Sequence, residues 1–267
     1  MRQLLILTAL ISYVHNLKAQ DKQHLFYGMY LQWGYNGESY THSNIHFKMS
    51  NGDNFVLHHA KAHDQGDYIG IYNHPDQVSI PQYNYRFGFY LNRDLTKSIE
   101  INFDHAKYVV TDGQTVHVTG TISKEIVNGD SVLNPQTFLH LEHTDGANWL
   151  HINYAEQQTL FQTRSGSRDL LTVIYKGGAG INIPRTDFTW KGDRLNNNFH
   201  VAGYNISVEG GLRFYMLKNL FLEGTGKTGY VRYVNALANT NTTKGNKVSQ
   251  SFWYLEGIVT FGYQFRF

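Results

Sequence analysis

The chain has 267 residues, 23 Lys+Arg against 21 Asp+Glu, a formal net charge of only +2, and no cysteine. That balance gives no electrostatic footprint for nucleic acid. Zero cysteine excludes a disulfide framework, a cysteine nucleophile, cysteine-ligated zinc and a lipidated N-terminal cysteine. Mean hydropathy is −0.41, and no run long and apolar enough for a transmembrane helix is present. A membrane β-barrel is compatible with these values, because only alternate strand residues there must be apolar.

The N-terminus reads as an export signal. Arg2 supplies the positive start, Leu4 to Val14 the short apolar run, and Leu17-Lys18-Ala19 an imperfect cleavage site. Residues 1–19 are expected to be removed, leaving residues 20–267 as one barrel domain that starts at Gln20.

Phe26 to Tyr35 (FYGMYLQWGY) is the first expected strand, aromatic and without charge. Asn36 to Ser79 is a long polar stretch with its own hairpin: Ile45 to Met49 and Phe55 to Ala60 flank the turn Ser50-Asn51-Gly52-Asp53-Asn54. The second strand is Gln82 to Leu91, where Tyr83, Tyr85, Phe87, Phe89 and Leu91 alternate with Asn84, Arg86, Gly88 and Tyr90. After a short turn comes the third, Lys97 to Val110, with Ile99, Ile101 and Phe103 opposite Glu100, Asn102 and Asp104. A second long segment, Thr111 to Asn148, holds two further strands, Val116 to Ile122 and Phe138 to His143. The remaining strands are Trp149 to Phe161, Leu170 to Ile181, Phe199 to Tyr215, Leu220 to Leu237 and Phe252 to Phe267.

The last of these, FWYLEGIVTFGYQFRF, shows the pattern best. Trp253, Leu255, Val259, Phe261, Tyr263, Phe265 and Phe267 share one face; Tyr254, Glu256, Thr260, Gly262, Gln264 and Arg266 share the other. The connections run long, short, long, short, medium, short, medium. This is the alternation of an up-and-down antiparallel transmembrane β-barrel with short periplasmic turns and long extracellular loops. Eight strands are expected, with ten or twelve if strands within the long loops enter the wall. An even number puts both termini on the periplasmic side.

The signal peptide, the aromatic strands and the closing YQFRF resemble the small outer-membrane barrels of Gram-negative bacteria, of the opacity-protein and OmpW-like kind. Phe267, with Phe265 and Tyr263 at alternate positions before it, is similar to the signal that the barrel-assembly machinery reads in that class. The strings NFDHAKYVV (Asn102 to Val110) and LEHTDGANWL (Leu141 to Leu150) resemble those of uncharacterised members. The resemblance implies an outer-membrane location, contact with outer-membrane lipid and lipopolysaccharide, and contact with the assembly machinery during insertion. It transfers no catalytic residue.

If the apolar faces meet lipid, Arg86, Glu100, Asp104, Lys176, Glu209, Arg213, Glu223, Lys227, Glu256 and Arg266 turn inward. Such a balanced set predicts a crosslinked lumen, since buried charges must pair or stay hydrated. An eight-stranded barrel is only wide enough to be filled by its own side chains, which argues against a diffusion porin.

Two clusters offer chemistry. In His58-His59-Ala60-Lys61-Ala62-His63, three imidazoles (His58, His59 and His63) are spaced as candidate metal ligands, although no HExxH spacing is present. At the outer rim, Asp104 and His151 are expected to meet on neighbouring strands, with His143 and Asp145 nearby. A carboxylate beside a histidine fixes its tautomer and raises its basicity, as a general base requires. A nucleophile is missing: Ser43 beside His42 is a candidate only because both are on the outer side, and no Gly-x-Ser-x-Gly elbow occurs.

Three functions follow as expectations. The first is a non-enzymatic scaffold, or an accessory subunit of an outer-membrane complex, whose long outer loops bind a partner or a surface glycan or lipid. The second is a lipid A or phospholipid hydrolase using the His/Asp cluster. The third, a lateral pathway for a small hydrophobic molecule, conflicts with the inward charges. No cofactor is expected.

Overall fold

The computed structural model describes residues 25–66, 82–166 and 168–267. The expected export signal, residues 1–19, lies outside them, as do residues 67–81 of the first long outer segment. Every regular element described is a strand: β1 (Gly28–Tyr40), β2 (Ser43–Lys48), β3 (Asn54–Ala60), β4 (Ala62–His63), β5 (Tyr83–Tyr90), β6 (Lys97–Asp104), β7 (Tyr108–Val110), β8 (Thr115–Ile122), β9 (Glu125–Val132), β10 (Leu139–His143), β11 (Trp149–Gln162), β12 (Asp169–Asn182), β13 (Asp187–Trp190), β14 (Asp193–Asn196), β15 (Gly203–Tyr215), β16 (Leu220–Leu237) and β17 (Lys247–Arg266).

Eight of these form the wall. Antiparallel neighbours follow the order β1-β5-β6-β11-β12-β15-β16-β17. The ring then closes, because β17 pairs back onto β1 from Gly28↔Arg266 to Tyr40↔Tyr254. Closure removes both sheet edges, so every wall strand finds partners on two sides. The alternation along each strand sorts the side chains. On β17, Trp253, Leu255, Val259 and Phe261 are exposed while Tyr254, Glu256, Ile258 and Thr260 are buried. On β15, Ile206, Val208, Leu212 and Phe214 face out, while Arg213 is fully enclosed. A wall that is apolar outside and ionic inside is inverted relative to a protein dissolved in water, and it is stable when lipid surrounds it.

Several boundaries differ from the sequence reading. The expected third strand, Lys97 to Val110, ends at Asp104. There His105 stacks on Tyr83 at 4.5 Å, its Nδ1 bonds Asn148 Oδ1 at 2.8 Å, and the chain leaves the wall; Tyr108–Val110 pairs in a different sheet. The sixth begins at Gly203 rather than Phe199, since Ala202 is tied across to Asn182 and Val234. The first strand runs on to Tyr40, which brings Glu38 into the interior.

The loop strands do not enter the wall. β17 projects beyond it, from Gln250 back to Lys247, and β2 takes up its free edge. Because β1 and β2 pair along the same edge of β17, β2 continues β1 past an irregularity at Thr41-His42, where Thr41 N–H donates to Trp253 O at 2.9 Å. The strands β3, β8 and β9 add on in turn. A second sheet, in the order β14-β13-β10-β7-β4, faces them. Phe47 stacks on Phe188 at 5.6 Å and Phe55 on Trp190 at 5.4 Å, joining the two sheets. Leu57, Val116, Val118, Leu139 and Leu141 complete this core. Each such side chain contributes roughly 1.5–3 kcal/mol on burial, so the outer segments form a folded cap. The expected hairpin of Ile45 to Met49 and Phe55 to Ala60 lies within it as β2 and β3.

Candidate functional site

The interior of the barrel is layered. At the end that holds the short turns, Tyr30, Tyr90, Leu95, Tyr215 and Phe221 form an apolar floor. The Arg213 guanidinium lies 4.1 Å from the Phe221 ring centroid and donates to Tyr90 Oη at 3.1 Å. Below the floor a vestibule of ≈ 300 Å³ opens, lined by Gln157, Arg168, Lys218, Gln264 and Arg266 among others.

Above it sits the ionic layer. Arg86 Nη1 bonds Glu209 Oε1 at 2.6 Å. Lys176 Nζ reaches Glu223 at 2.7 Å, Glu100 at 3.1 Å and Glu209 at 3.4 Å. Arg213 grips the other Glu223 oxygen through Nε and Nη2, both at 2.7 Å. Toward the outer end Lys227 Nζ bonds Asp104 and lies 3.4 Å from both Glu256 and His151 Nε2.

The expected balance of charge needs one correction. Arg266 is exposed at the rim and donates to Arg93 O at 3.0 Å. Glu38 takes a place inside instead. The lumen therefore holds Glu38, Glu100, Asp104, Glu209, Glu223 and Glu256 against Arg86, Lys176, Arg213 and Lys227. Neutral donors meet the surplus of acid: Tyr30 Oη donates to Glu100 at 2.8 Å, Gln32 Nε2 to Glu223 at 2.9 Å, and Asn36 Nδ2 to Glu38 at 2.5 Å, with Gln82 on its other oxygen.

A third layer closes the outer mouth and merges with the core of the cap. Trp149 packs on Tyr254 at 4.5 Å and donates to Tyr233 Oη at 3.2 Å. Tyr108 stacks on Phe252 at 4.6 Å.

The residues singled out in the sequence are distributed across these layers. Asp104 and His151 do come together, at 3.8 Å, fully enclosed, with Lys227 bonded to both. His143 is elsewhere, 5.0 Å from the Tyr233 ring in the aromatic layer, and neither ring nitrogen has a hydrogen-bond partner. Burial pushes its pKa down to about 4, so it is neutral at physiological pH. Asp145 is on the surface, accepting from Asn196 at 2.5 Å and from Arg185 at 3.0 Å. Ser43 bonds Tyr108 and Gln250 instead of an imidazole. His58, His59 and His63 do not converge. His58 bonds Thr119, His63 bonds Thr111 in the facing sheet, and His59 stands at φ +53° with its N–H held by Asn44. Among the described residues no three His, Asp or Glu side chains are placed to share a metal ion.

The sequence reading missed a clip on the cap. His140 bonds Asp112 at 2.8 Å through Nδ1 and Glu142 at 3.2 Å through Nε2. Burial opposes its protonation, but the two carboxylates prevail and raise its pKa to about 9. An i, i+2 pair on a strand (His140, Glu142) carries that signal in sequence; Asp112 does not, since the fold alone brings it near.

Charged groups this deep, inside a closed antiparallel wall with an apolar exterior, fit one setting. The protein is an outer-membrane β-barrel. Its short turns lie at the end of the wall where β1 begins and β17 ends, and its cap lies at the opposite end. No protein-family model and no curated protein matches the chain. Among solved structures it is similar to outer membrane protein OprG from Pseudomonas aeruginosa, at 10% identity over 92% of this chain and 100% of that one, with a TM-score of 0.42. Neisserial surface protein A follows, at 10% identity over 85% and 95%, with a TM-score of 0.34. Ail, the attachment invasion locus protein of Yersinia pestis, matches at 9% identity over 90% and 100%, with a TM-score of 0.33. At these identities no residue of the barrel inherits a role.

Two outcomes test this site. Lys176→Met leaves three enclosed carboxylates without their shared cation and lowers unfolding free energy by about 3–5 kcal/mol, read as loss of the compact band in urea titrations on gels; adding Glu223→Gln recovers part of it. The His140 clip stabilises the cap fully below the unfolded histidine pKa of about 6.5, and that stabilisation is lost as pH rises through about 9. Proteolysis of the cap therefore accelerates between pH 6.5 and 9, and His140→Gln flattens the dependence.

Proposed function

We propose that the protein is a non-enzymatic scaffold whose folded cap engages the sugars and phosphates of the surrounding lipopolysaccharide. The observation that carries this reading is on the side of the cap. Lys48 on β2 stands directly opposite Lys247 on β17. Like charges opposed across an antiparallel pair repel, and neither lysine has a carboxylate partner among the described residues. An external anion placed between them removes the repulsion.

The position suits a lipid headgroup. Lys247 shares a strand face with Trp253, which lies on the exposed aromatic wall with Tyr230 at 5.5 Å. The two positions are about 20 Å apart along the strand, so the lysines stand above the lipid-facing band, on its side of the molecule. Around them the same sheet face presents His46, Asn44 and Asn54, with Ser249 opposite His46. These side chains donate and accept hydrogen bonds as sugar hydroxyls require. Clusters of lysine just outside a membrane recognise anionic headgroups.

Lys48→Gln together with Lys247→Gln is expected to reduce the lipopolysaccharide that copurifies with the folded protein several-fold, measured by mass spectrometry against a Lys218→Gln control at the periplasmic end. Equal retention by the two variants contradicts the reading.

A further inference from the structure

We propose that the cap pairs with a second copy of this chain through the free edge of β9. This strand ends the order β17-β2-β3-β8-β9 and, among the described residues, is paired on one side only. It is a full eight residues long, regular against β8 from Thr115↔Val132 to Ile122↔Glu125. No proline or bulge blunts it. A long, flat edge is a template for another strand. Ile126 on it is 89% exposed and Val132 53%, the former among the most exposed apolar side chains of the molecule.

The turn fixes which backbone groups are free. Ser123 and Lys124, both at positive φ, make the two-residue connection, so Ile122 and Glu125 flank it as a hydrogen-bonded pair. Alternation then turns the N–H and C=O groups of Glu125, Val127, Gly129 and Ser131 toward β8. The pattern persists at the far end, where Leu133 N–H donates to Gln114 O at 2.9 Å. Ile126, Asn128, Asp130 and Val132 therefore offer their backbone groups outward.

The side chains select the occupant and the register. Ile126-Val127-Asn128-Gly129-Asp130-Ser131-Val132 is close to self-complementary about Gly129. With Gly129 facing the partner's Gly129, Ile126 meets the partner's Val132, Val127 the partner's Ser131, and Asn128 the partner's Asp130. Apolar meets apolar, an amide meets a carboxylate, and no like charges are opposed. Sliding by one step in one direction sets Ile126 against Asp130; sliding in the other sets Asp130 against Asp130. His117 on β8 lies 3.0 Å from Asp130 and 2.9 Å from Asn128, holding both side chains at the edge. The matched register forms about eight new backbone hydrogen bonds. The pairing is independent of lipid contact at Lys48 and Lys247.

The absence of native cysteine allows a clean test. A Cβ at Gly129 meets nothing within 4 Å, and directly opposed residues of a non-hydrogen-bonded pair sit about 4.5 Å apart at Cα, within reach of a disulfide. In detergent solution, mildly oxidised Gly129→Cys is expected to run largely as a covalent dimer. Val127→Cys alone stays monomeric, but mixed with Ser131→Cys it crosslinks. Adding Asn128→Pro to Gly129→Cys removes an outward N–H, which an edge strand tolerates, and abolishes the crosslink. The proposal is overturned if folded Gly129→Cys stays monomeric, as it would if a different polypeptide were the true occupant. It is equally overturned if Val127→Cys alone crosslinks as readily, or if Asn128→Pro changes nothing.

Discussion

Closure of the wall dictates what the interior must contain. Once β17 pairs with β1, every second side chain of eight strands points into a narrow space. Ionised groups there are stable only with partners in place. Glu223 illustrates the requirement: Lys176, Arg213 and Gln32 come to it from β12, β15 and β1. The charges thus act as cross-struts between distant strands, and the aromatic layers above and below keep them from bulk water. The same constraint explains the neutral donors Asn36 and Gln82 on Glu38, and Tyr30 Oη on Glu100, which complete what the cations of the lumen leave unsatisfied.

The cap follows from the wall through unequal strand length. β16 and β17 are much longer than wall strands such as β5 and β6, and the overhang of β17 leaves backbone groups that β2 completes. From there the sheet grows sideways while the second sheet folds over it, and Phe252, Tyr233 and Trp149 serve both the cap core and the mouth of the barrel. The described parts of the outer segments are therefore joined to the wall by continuous strand pairing and a shared core. A lumen filled by its own paired side chains is unsuited to diffusion.

Much of the wall was legible in the sequence because lipid imposes a strict period of two. All eight wall strands are recognisable from alternation, and the inward charges were correct except at Arg266 and Glu38, both near strand ends where the alternation no longer decides a side chain's surroundings. The cap was less legible. Alternation within Thr111 to Asn148 marks only Val116 to Ile122 and Phe138 to His143 as strands, yet β9, with Asn128-Gly129-Asp130 in its middle, lies between them. The turn into it is Ser123-Lys124, an unusual pair for positive φ, held because Ser123 N–H donates to Asp53 Oδ1 at 2.7 Å from another segment. Sequence proximity was also a poor guide at the candidate site. Asp104 and His151 do meet, as neighbouring strands allow, but Lys227 joins them from across the barrel, and no local pattern announces a contact of that range.

The central claim is that the lumen is sealed by its own side chains and that the cap, not a pore, is the working part. Conductance of the purified protein in planar lipid bilayers addresses it most directly. The account predicts a silent membrane, without discrete openings, across the voltage range the bilayer withstands. A steady, reproducible unit conductance from folded protein would show an open path through the ionic layer and would contradict it.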